Sequence, residues 1–307
     1  MRRIDGVKTA PVPSGRASRL WQLGRAAGGI VTAAAARGLA GLARGEPFDL
    51  GASMLTGSDA RQLAERLSRM RGAVMKLGQL MSMDGKDVLP PELVELLAPL
   101  RDSAHVMPLS QLVGVLEAEY GVGWEGRFQR FGFNPVAAAS IGQVHRAETR
   151  DGRVVAIKVQ YPGVRESIDS DIANLALLFR LLGPLADDVD LGPTLEEARL
   201  QLHREADYRA EARSLGEYRE LLTDDPDLTV PAVHSDLSGS RLLAMDFAEG
   251  VPVDVLVSRA ETRAVRDRVA EILSRLALRE LFELRLMQTD PNFANYLYDA
   301  PRGRIAL

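Results

Sequence analysis

The chain has 307 residues, of which 46% are hydrophobic and 26% charged, and it contains no cysteine. This composition is ordinary for a globular protein with one large or two small domains, and the lack of cysteine excludes disulfides, thiol catalysis and cysteine-ligated metals. The formal net charge of −4 is unevenly spread, because Asp5 is the one acid among the first 45 residues, which contain many arginines. The remainder is acidic, which argues against a general nucleic-acid binder.

The first 58 residues form a basic leader and linker. The apolar run AAGGIVTAAAA lies between Arg25 and Arg37. It is shorter than the ~20 residues that a helix needs to cross a bilayer, and the arginines beyond it are not typical of a signal peptide. Two interpretations stay open: a flexible alanine-rich leader, or a basic segment that rests on an anionic membrane surface. We expect a cytoplasmic protein, peripheral at the membrane under the second interpretation.

Three helices are predicted after the leader. In residues 61–83, apolar side chains recur at spacings of three and four, which indicates one buried stripe. Lys76 and Gln79 share a different face of this helix. The second helix, over residues 89–100, is entered through a proline pair, and the third covers residues 109–121.

The hydrophobic pattern then changes to alternation. Residues 128–140, 143–150 and 154–160 are predicted to be strands. Asp151 and Gly152 lie between the last two strands, and this pair predicts a hairpin because both turn positions tolerate φ > 0.

The rest of the chain mixes helices with a few further strands. The remaining predicted elements are helices over residues 167–182 and 194–222, strands over 228–234 and 241–247, a long helix over 258–284 and a hairpin over 295–307. Because the strands cluster in the middle rather than alternate with helices, the order predicts an α+β fold.

Lys158 is the most informative single residue. It lies between Ile157 and Val159 on the second strand of the predicted hairpin. A buried ammonium needs a partner, because an isolated charge in an apolar site is costly. The sequence VAIK on a strand is the context in which protein kinases place the lysine that binds the α- and β-phosphates. The alternative is a lysine on the solvent face of an alternating strand.

An alanine-rich loop precedes that hairpin, where kinases have a glycine-rich turn whose N–H groups cover the phosphates. Its candidate nucleotide-binding residues are Ala137, Ala138, Ala139, Ser140, Ile141 and Gly142. Small side chains allow close approach of the backbone, but alanine disfavours the φ > 0 conformations that glycine permits. We therefore expect a stiffer loop that lies differently over a nucleotide.

A predicted helix offers three carboxylates as partners for Lys158. They are Glu205, Asp207 and Glu211, in the stretch HREADYRAEA. Asp207 and Glu211 are spaced i, i+4, so they repel unless cations lie nearby. The alternative is a solvated acidic face interleaved with arginines.

Near the end of the chain, Asp290 and Asn295 are five residues apart, as in the Asp-x-x-x-x-Asn of the kinase catalytic loop. In that arrangement the aspartate accepts the proton of an attacking hydroxyl and the asparagine binds Mg²⁺. Gln288 and Thr289 stand where kinases usually have histidine and arginine.

Taken together, these stretches resemble the UbiB/AarF family of atypical protein-kinase-like proteins, which is linked to ubiquinone biosynthesis. The resemblance covers roughly residue 60 to the end and rests on KLGQ, AAASIGQVH, VAIKVQYPG, EADYRAEA and DPNFAN. It implies a protein-kinase-like two-lobe fold with a family-specific N-terminal helical extension.

The resemblance also implies a role for each candidate residue. Lys158 would be the phosphate-binding lysine and Glu211 its ion-pair partner, with Asp290 catalytic and Asn295 a metal ligand. The remaining implied site residues are Lys76, Gly78 and Gln79 on a helix across the cleft, Glu205 and Asp207 of the Glu-x-Asp motif beside them, and the backbone of Asp246 and Phe247 at the adenine.

The implied cofactors are ATP or ADP and Mg²⁺. A helix across the cleft would exclude an extended protein segment, so the implied substrate is a small or lipid-like molecule, or the activity is an ATPase that supports ubiquinone biosynthesis, with quinone-biosynthesis proteins as partners. The alternative is a catalytically impaired, nucleotide-binding regulatory module.

We expect four parts: the leader and linker (1–58), the helical extension (59–121), a kinase-like N-lobe with inserted helices (122–250) and the start of an incomplete C-lobe with the catalytic loop (251–307). The sequence ends at RGRIAL, where Asp-Phe-Gly would follow in a kinase. Its aspartate is a principal Mg²⁺ ligand, so we expect the 307-residue chain alone to have severely reduced phosphoryl transfer.

Overall fold

The computed structural model describes residues 72–73, 76–77, 106–181, 192–258, 262–288 and 292–307. The leader and the helix predicted over 89–100 lie outside these residues. Within the helix predicted over 61–83, the four described residues are helical.

The helices are α1 (Leu109–Tyr120), α2 (Val164–Leu181), α3 (Gly192–Glu205), α4 (Tyr208–Leu221), α5 (Val253–Ser258) and α6 (Arg263–Arg279). The strands are β1 (Phe128–Phe131), β2 (Ala137–Ala138), β3 (Gly142–Thr149), β4 (Val154–Gln160), β5 (Leu228–Thr229), β6 (Leu242–Asp246), β7 (Val251–Pro252), β8 (Leu297–Asp299) and β9 (Arg304–Ala306). Helices and mostly antiparallel sheets together confirm the predicted α+β class.

The chain divides into two compact units. The first contains the described residues of the ranges 112–160 and 207–307, and the second those of the ranges 72–111 and 161–206. Both sheets lie in the first unit. In the second unit, α2 packs against α3 through buried side chains such as Leu175 and Leu202.

The larger sheet has five antiparallel strands in the order β1-β3-β4-β6, and β2 pairs with the same strand β3 as β1 does. Strand β4 is central, and its residues alternate between two faces. Val155, Ile157 and Val159 are fully buried on one face, whereas the residues between them lie on the other. Burial of these three side chains contributes about 1.5–3 kcal/mol each to stability.

The β3–β4 hairpin forms as predicted, but its turn differs from the expected one. Gly152 has φ of +88°, and Asp151 does not have a positive φ. Its carboxylate instead accepts a hydrogen bond from the hydroxyl of Thr149. One left-handed glycine therefore suffices, because the longer turn closes with the Thr149 N–H donating to the Arg153 carbonyl at 2.9 Å.

The smaller sheet has the order β5-β9-β8-β7, with β5 and β9 parallel. It packs with α4, α5 and α6 around a second core. The buried members of this core are Tyr218, Leu222, Leu228, Val230, Val253, Leu256, Val269, Ile272, Leu276, Tyr296, Tyr298 and Ile305. The predicted C-terminal hairpin corresponds to β8 and β9.

The single helix predicted over residues 194–222 is wrong, because the chain breaks into α3 and α4. Asp207 lies at the break with non-helical backbone angles, and its Oδ1 accepts a hydrogen bond of 3.0 Å from the Ala210 N–H. An aspartate at this N-cap accepts a hydrogen bond from a backbone N–H that the helix itself leaves without an acceptor. Its negative charge also interacts favourably with the positive end of the helix dipole. Asp207 and Glu211 are therefore not two charges within one continuous helix, as expected from the sequence, because Asp207 caps the helix that contains Glu211.

The long helix predicted from residue 258 begins later. Thr262 is the N-cap of α6 and accepts a hydrogen bond from the Val265 N–H at 3.4 Å. At its other end α6 passes into a π-helical turn, Glu280–Leu284, which ends at Arg285 with φ of 55°.

His145 on β3 is a neutral, buried histidine. Its Nδ1–H donates to the Gly132 carbonyl at 2.7 Å, and its Nε2 accepts from the Gln143 amide at 2.8 Å. The ring stacks on Phe131 with centroids 5.5 Å apart. Burial lowers the pKa of His145 from 6.5 to about 4.

This low pKa predicts a specific loss of stability in mild acid. The unfolded chain takes up a proton near pH 6.5, whereas the folded chain resists protonation until about pH 4, so the free energy of unfolding falls as pH decreases through this window. Between pH 7.5 and pH 5, His145 should remove about 2 kcal/mol. Urea unfolding of wild type and His145→Asn at both pH values measures this contribution. Carboxylates titrate in both proteins, so a parallel pH dependence of the two would contradict the prediction.

Candidate active site

Lys158 and Glu211 form an ion pair in the first unit. The Lys158 Nζ lies 2.8 Å and 3.0 Å from the two carboxylate oxygens of Glu211. The side chains are 18% and 36% exposed, respectively. Of the three carboxylates in the acidic stretch, the structure thus brings Glu211, in the first turn of α4, to the lysine.

The alternation of β4 explains how a lysine fits between two core residues. Ile157 and Val159 point into the core, whereas Lys158 points to the opposite face. In register, Lys158 is flanked by Val144 of β3 and Leu243 of β6. It is therefore a residue of a central strand, held to α4 by its ion pair.

Tyr208 is a residue that the sequence analysis missed. The Lys158 Nζ lies 4.9 Å from the centroid of its ring, within the range of a cation–π contact. Tyr208 is buried and lies three residues before Glu211 in α4, so both side chains share one helix face. That i, i+3 spacing next to a carboxylate was the signal available in the sequence.

The alanine-rich segment forms a tight β2–β3 hairpin. The Ala139 N–H donates to the Gly142 carbonyl at 2.8 Å, and Ile141 is fully buried. None of its residues has a positive φ. This agrees with the expectation that alanine excludes the conformations of a glycine-rich turn.

Gly142 is required by close packing rather than by backbone conformation. A Cβ placed there would lie 2.4 Å from the Val159 carbonyl oxygen and 2.9 Å from the Tyr208 hydroxyl. The loop, β4 and the start of α4 therefore meet at a position where only a hydrogen side chain fits.

The backbone N–H groups of Asp246 and Phe247 already have protein partners. They donate to the Ala232 and Val154 carbonyls at 2.9 Å and 3.0 Å. The Asp246 carboxylate also accepts from the Nε2–H of His234 at 2.9 Å. The expected contact between this segment and adenine would therefore have to use groups other than these two N–H groups.

Lys76 and Glu205 form an ion pair within the second unit. Their charged atoms lie 2.8 Å apart, and the Lys76 side chain is 2% exposed. Loss of this pair would be destabilising, because the Lys76 ammonium lies in a buried position. Gly78 and Gln79 lie outside the described residues, and Asp207 acts as the cap of α4.

Asp290 also lies outside the described residues. Asn295 ends a short 3₁₀ turn, Phe293–Asn295, and is exposed. Its N–H donates to the Asn292 carbonyl at 2.8 Å. Among the residues that the structure describes, no group of three or more His, Asp or Glu is placed to hold a metal ion.

The chain belongs to a family of atypical kinase-like proteins. Residues 99–307 match the ABC1 atypical kinase-like domain, which confirms the resemblance and the kinase-like fold inferred from the sequence.

Two curated relatives are 39% identical to this chain. The Saccharomyces cerevisiae protein named "Atypical kinase COQ8, mitochondrial" aligns over 99% of this chain and 60% of its own length. The Rattus norvegicus protein named "Atypical kinase COQ8B, mitochondrial" aligns over 99% of this chain and 57% of its own length. The chain thus spans less than two thirds of the length of these relatives.

Among solved structures, the chain is similar to that of Mycobacterium tuberculosis Rv3197 in complex with erythromycin. The TM-score is 0.55 and the sequence identity 31%, and the match covers 81% of this chain and 63% of the other. In the described part of this chain, no helix has the length and apolar character needed to cross a membrane.

The close packing at Gly142 gives a testable prediction. Gly142→Ala should lower the free energy of unfolding by at least ~2 kcal/mol, because the methyl group meets the backbone of a central strand. Gly216→Ala is the matched control: a Cβ at Gly216 meets nothing within 4 Å, and alanine should stabilise α4 by about 0.5–1 kcal/mol. Urea denaturation measures both. A free energy of unfolding for Gly142→Ala that equals or exceeds that of wild type, as expected for the control, would contradict the assigned contact.

Proposed function

We propose that this chain binds ATP or ADP as an atypical kinase or ATPase. It would transfer a phosphoryl group to a small or lipid-like acceptor, or hydrolyse ATP, in support of ubiquinone biosynthesis. The observation behind the proposal is the pairing of Lys158 on a central strand with Glu211 on a helix, in a chain that belongs to a kinase-like family.

The geometry supports a phosphate-binding role for Lys158. An ammonium has three N–H donors, and two of them meet the carboxylate oxygens of Glu211. No other described residue accepts a hydrogen bond from this ammonium, so the third N–H would be available to a phosphate oxygen. Glu211 and the ring of Tyr208 restrict the rotamers of the lysine, so a nucleotide would meet a cation that is already oriented.

Asp290 and Asn295 are the proposed residues at the reacting phosphate. Asn295 is exposed at the end of its turn, so its amide oxygen is accessible to a cation. Mg²⁺ commonly binds through one or two protein oxygens together with phosphates, which suits a donor set as small as this one. When bound, the ion would neutralise phosphate charge.

The substrate, partners and location are also proposals. The relatives named above are described as mitochondrial kinases, and the basic leader of this chain would suit peripheral contact with an anionic membrane from the cytoplasm. A lipid-like acceptor and association with quinone-biosynthesis proteins fit that setting. The net charge of −4 gives no support for a nucleic-acid partner.

Nucleotide binding tests the proposed site directly. At a hundredfold excess over its dissociation constant, ADP with Mg²⁺ should stabilise wild type by about 2.7 kcal/mol. Lys158→Met and Glu211→Gln should reduce the affinity at least tenfold, because the oriented cation is lost. Thermal shift and titration calorimetry give both quantities.

Glu217→Gln is the matched control, since Glu217 is an exposed glutamate on the same helix, and it should bind ADP like wild type. Equal binding by all four proteins would show that the nucleotide, if bound, does not use this ion pair. Binding by wild type without any conversion of ATP to ADP would favour the nucleotide-binding module over the kinase or ATPase.

A further inference from the structure

Four polar side chains form a cluster in the second core of the first unit. They are Tyr218 of α4, Glu280 of the π-helical turn, Gln288 just before the catalytic-loop segment, and Tyr296 just after Asn295; we call them the Gln288 cluster. Glu280 and the two tyrosines are buried. A buried carboxylate and buried hydroxyls destabilise the fold unless they are hydrogen-bonded, so the hydrogen bonds of this cluster decide whether it is tolerated.

The hydrogen bonds of the cluster all run towards Glu280. The Tyr296 hydroxyl donates to the Gln288 Oε1 at 3.0 Å, and the Gln288 Nε2 donates to the Tyr218 hydroxyl at 3.1 Å. The Tyr218 hydroxyl in turn donates to Glu280, which also accepts from the Gln288 N–H at 3.2 Å. Residue 288 must therefore donate and accept at once, and the glutamine amide does both.

Helix α4 connects this cluster with the ion pair. Glu211 and Tyr218 are seven residues apart, which is about two turns and about 10 Å along the helix. They lie on nearly the same helix face, so one face of α4 presents a carboxylate to Lys158 and a hydroxyl to Gln288. Tyr296, at the other side of the cluster, is the immediate neighbour of Asn295 in the chain.

We propose that Gln288 is a positioning residue that fixes α4, and hence Glu211, relative to the turn that contains Asn295. The inference rests on the proposed function, because the lysine that Glu211 holds and the amide of Asn295 would then meet the same triphosphate. Displacement of reacting groups by about 1 Å lowers reaction rates substantially, and a displaced Glu211 would no longer orient the lysine for a phosphate. Glutamine thus stands at the place of the usual kinase histidine because it bridges two tyrosines.

A double-mutant cycle separates this role from a purely structural one. We expect Tyr218→Phe to weaken ADP binding about fivefold or more in wild type, the usual scale of coupling between linked sites. In the Glu211→Gln background it should change affinity less than twofold, because the carboxylate that it positions is already lost. Titration calorimetry gives the dissociation constants, and the melting temperature of each variant reports its stability.

Position 288 supplies an independent pair of variants. Gln288→Met has a similar size but neither donates nor accepts, and it should weaken ADP binding as Tyr218→Phe does. Gln288→His retains a donor and an acceptor and should recover most of the lost affinity. Tyr120→Phe is the matched control for removal of a tyrosine hydroxyl: this hydroxyl donates to the Leu237 carbonyl at 2.6 Å, so its loss should lower the melting temperature without changing the affinity.

The possible results discriminate between the two proposals. If Tyr218→Phe and Gln288→Met lower the melting temperature but bind ADP like wild type, the cluster is structural and the inference is overturned. Equal weakening in the wild-type and Glu211→Gln backgrounds overturns it as well, while nucleotide binding itself stands. If wild type binds no ADP, the proposed function fails, and the inference fails with it.

Discussion

The rest of the candidate site depends on a cation placed on a central strand. Lys158 is flanked by two core residues, and its charge is tolerated because Glu211 meets it with both carboxylate oxygens. For Glu211 to reach it, α4 must begin immediately upstream, and the cap at Asp207 sets that start. Tyr208 then lies under the ammonium and against Gly142. Strand β4, the alanine-rich loop and α4 thus meet around the Lys158 ammonium and the two side chains that contact it.

The residues that resemble the kinase-like family have two different physical roles: some pack the sheet, and others place charge at the candidate site. In the alanine-rich stretch, Gly142 permits close packing, while Gln143 and His145 satisfy one another and the Gly132 carbonyl in the core. These residues shape the sheet and need no ligand to explain them. Lys158 is different, because packing of the core does not require a positive charge at this position. Resemblance across a motif therefore does not assign every residue in it to a binding role.

Two details of the sequence-based predictions were wrong, one helix and one turn, because a local hydrogen bond outweighed the sequence pattern. Residues 194–222 have a continuous helical period, yet the side chain of Asp207 caps a new helix and breaks it. The Asp151-Gly152 turn needed one left-handed residue rather than two, because Asp151 accepts from a neighbouring hydroxyl. In both cases a short polar side chain forms a local hydrogen bond that competes with the regular backbone pattern. The spacing of hydrophobic residues does not predict such a bond.

The sequence by itself determined the α+β class, the β3–β4 hairpin and the position of Lys158 on the second strand of that hairpin, because hydrophobic alternation and turn chemistry are local. It also limited the partner of the lysine to a few carboxylates. The residues alone left three carboxylates open, and the family resemblance implied Glu211. The tertiary structure pairs the lysine with Glu211 and shows, as the sequence did not, that Tyr208 lies beneath the charge. It also assembled the Gln288 cluster from residues up to 78 positions apart (218 to 296). Such contacts depend on how helices pack on sheets, and packing is a property of the whole fold that local spacing does not contain.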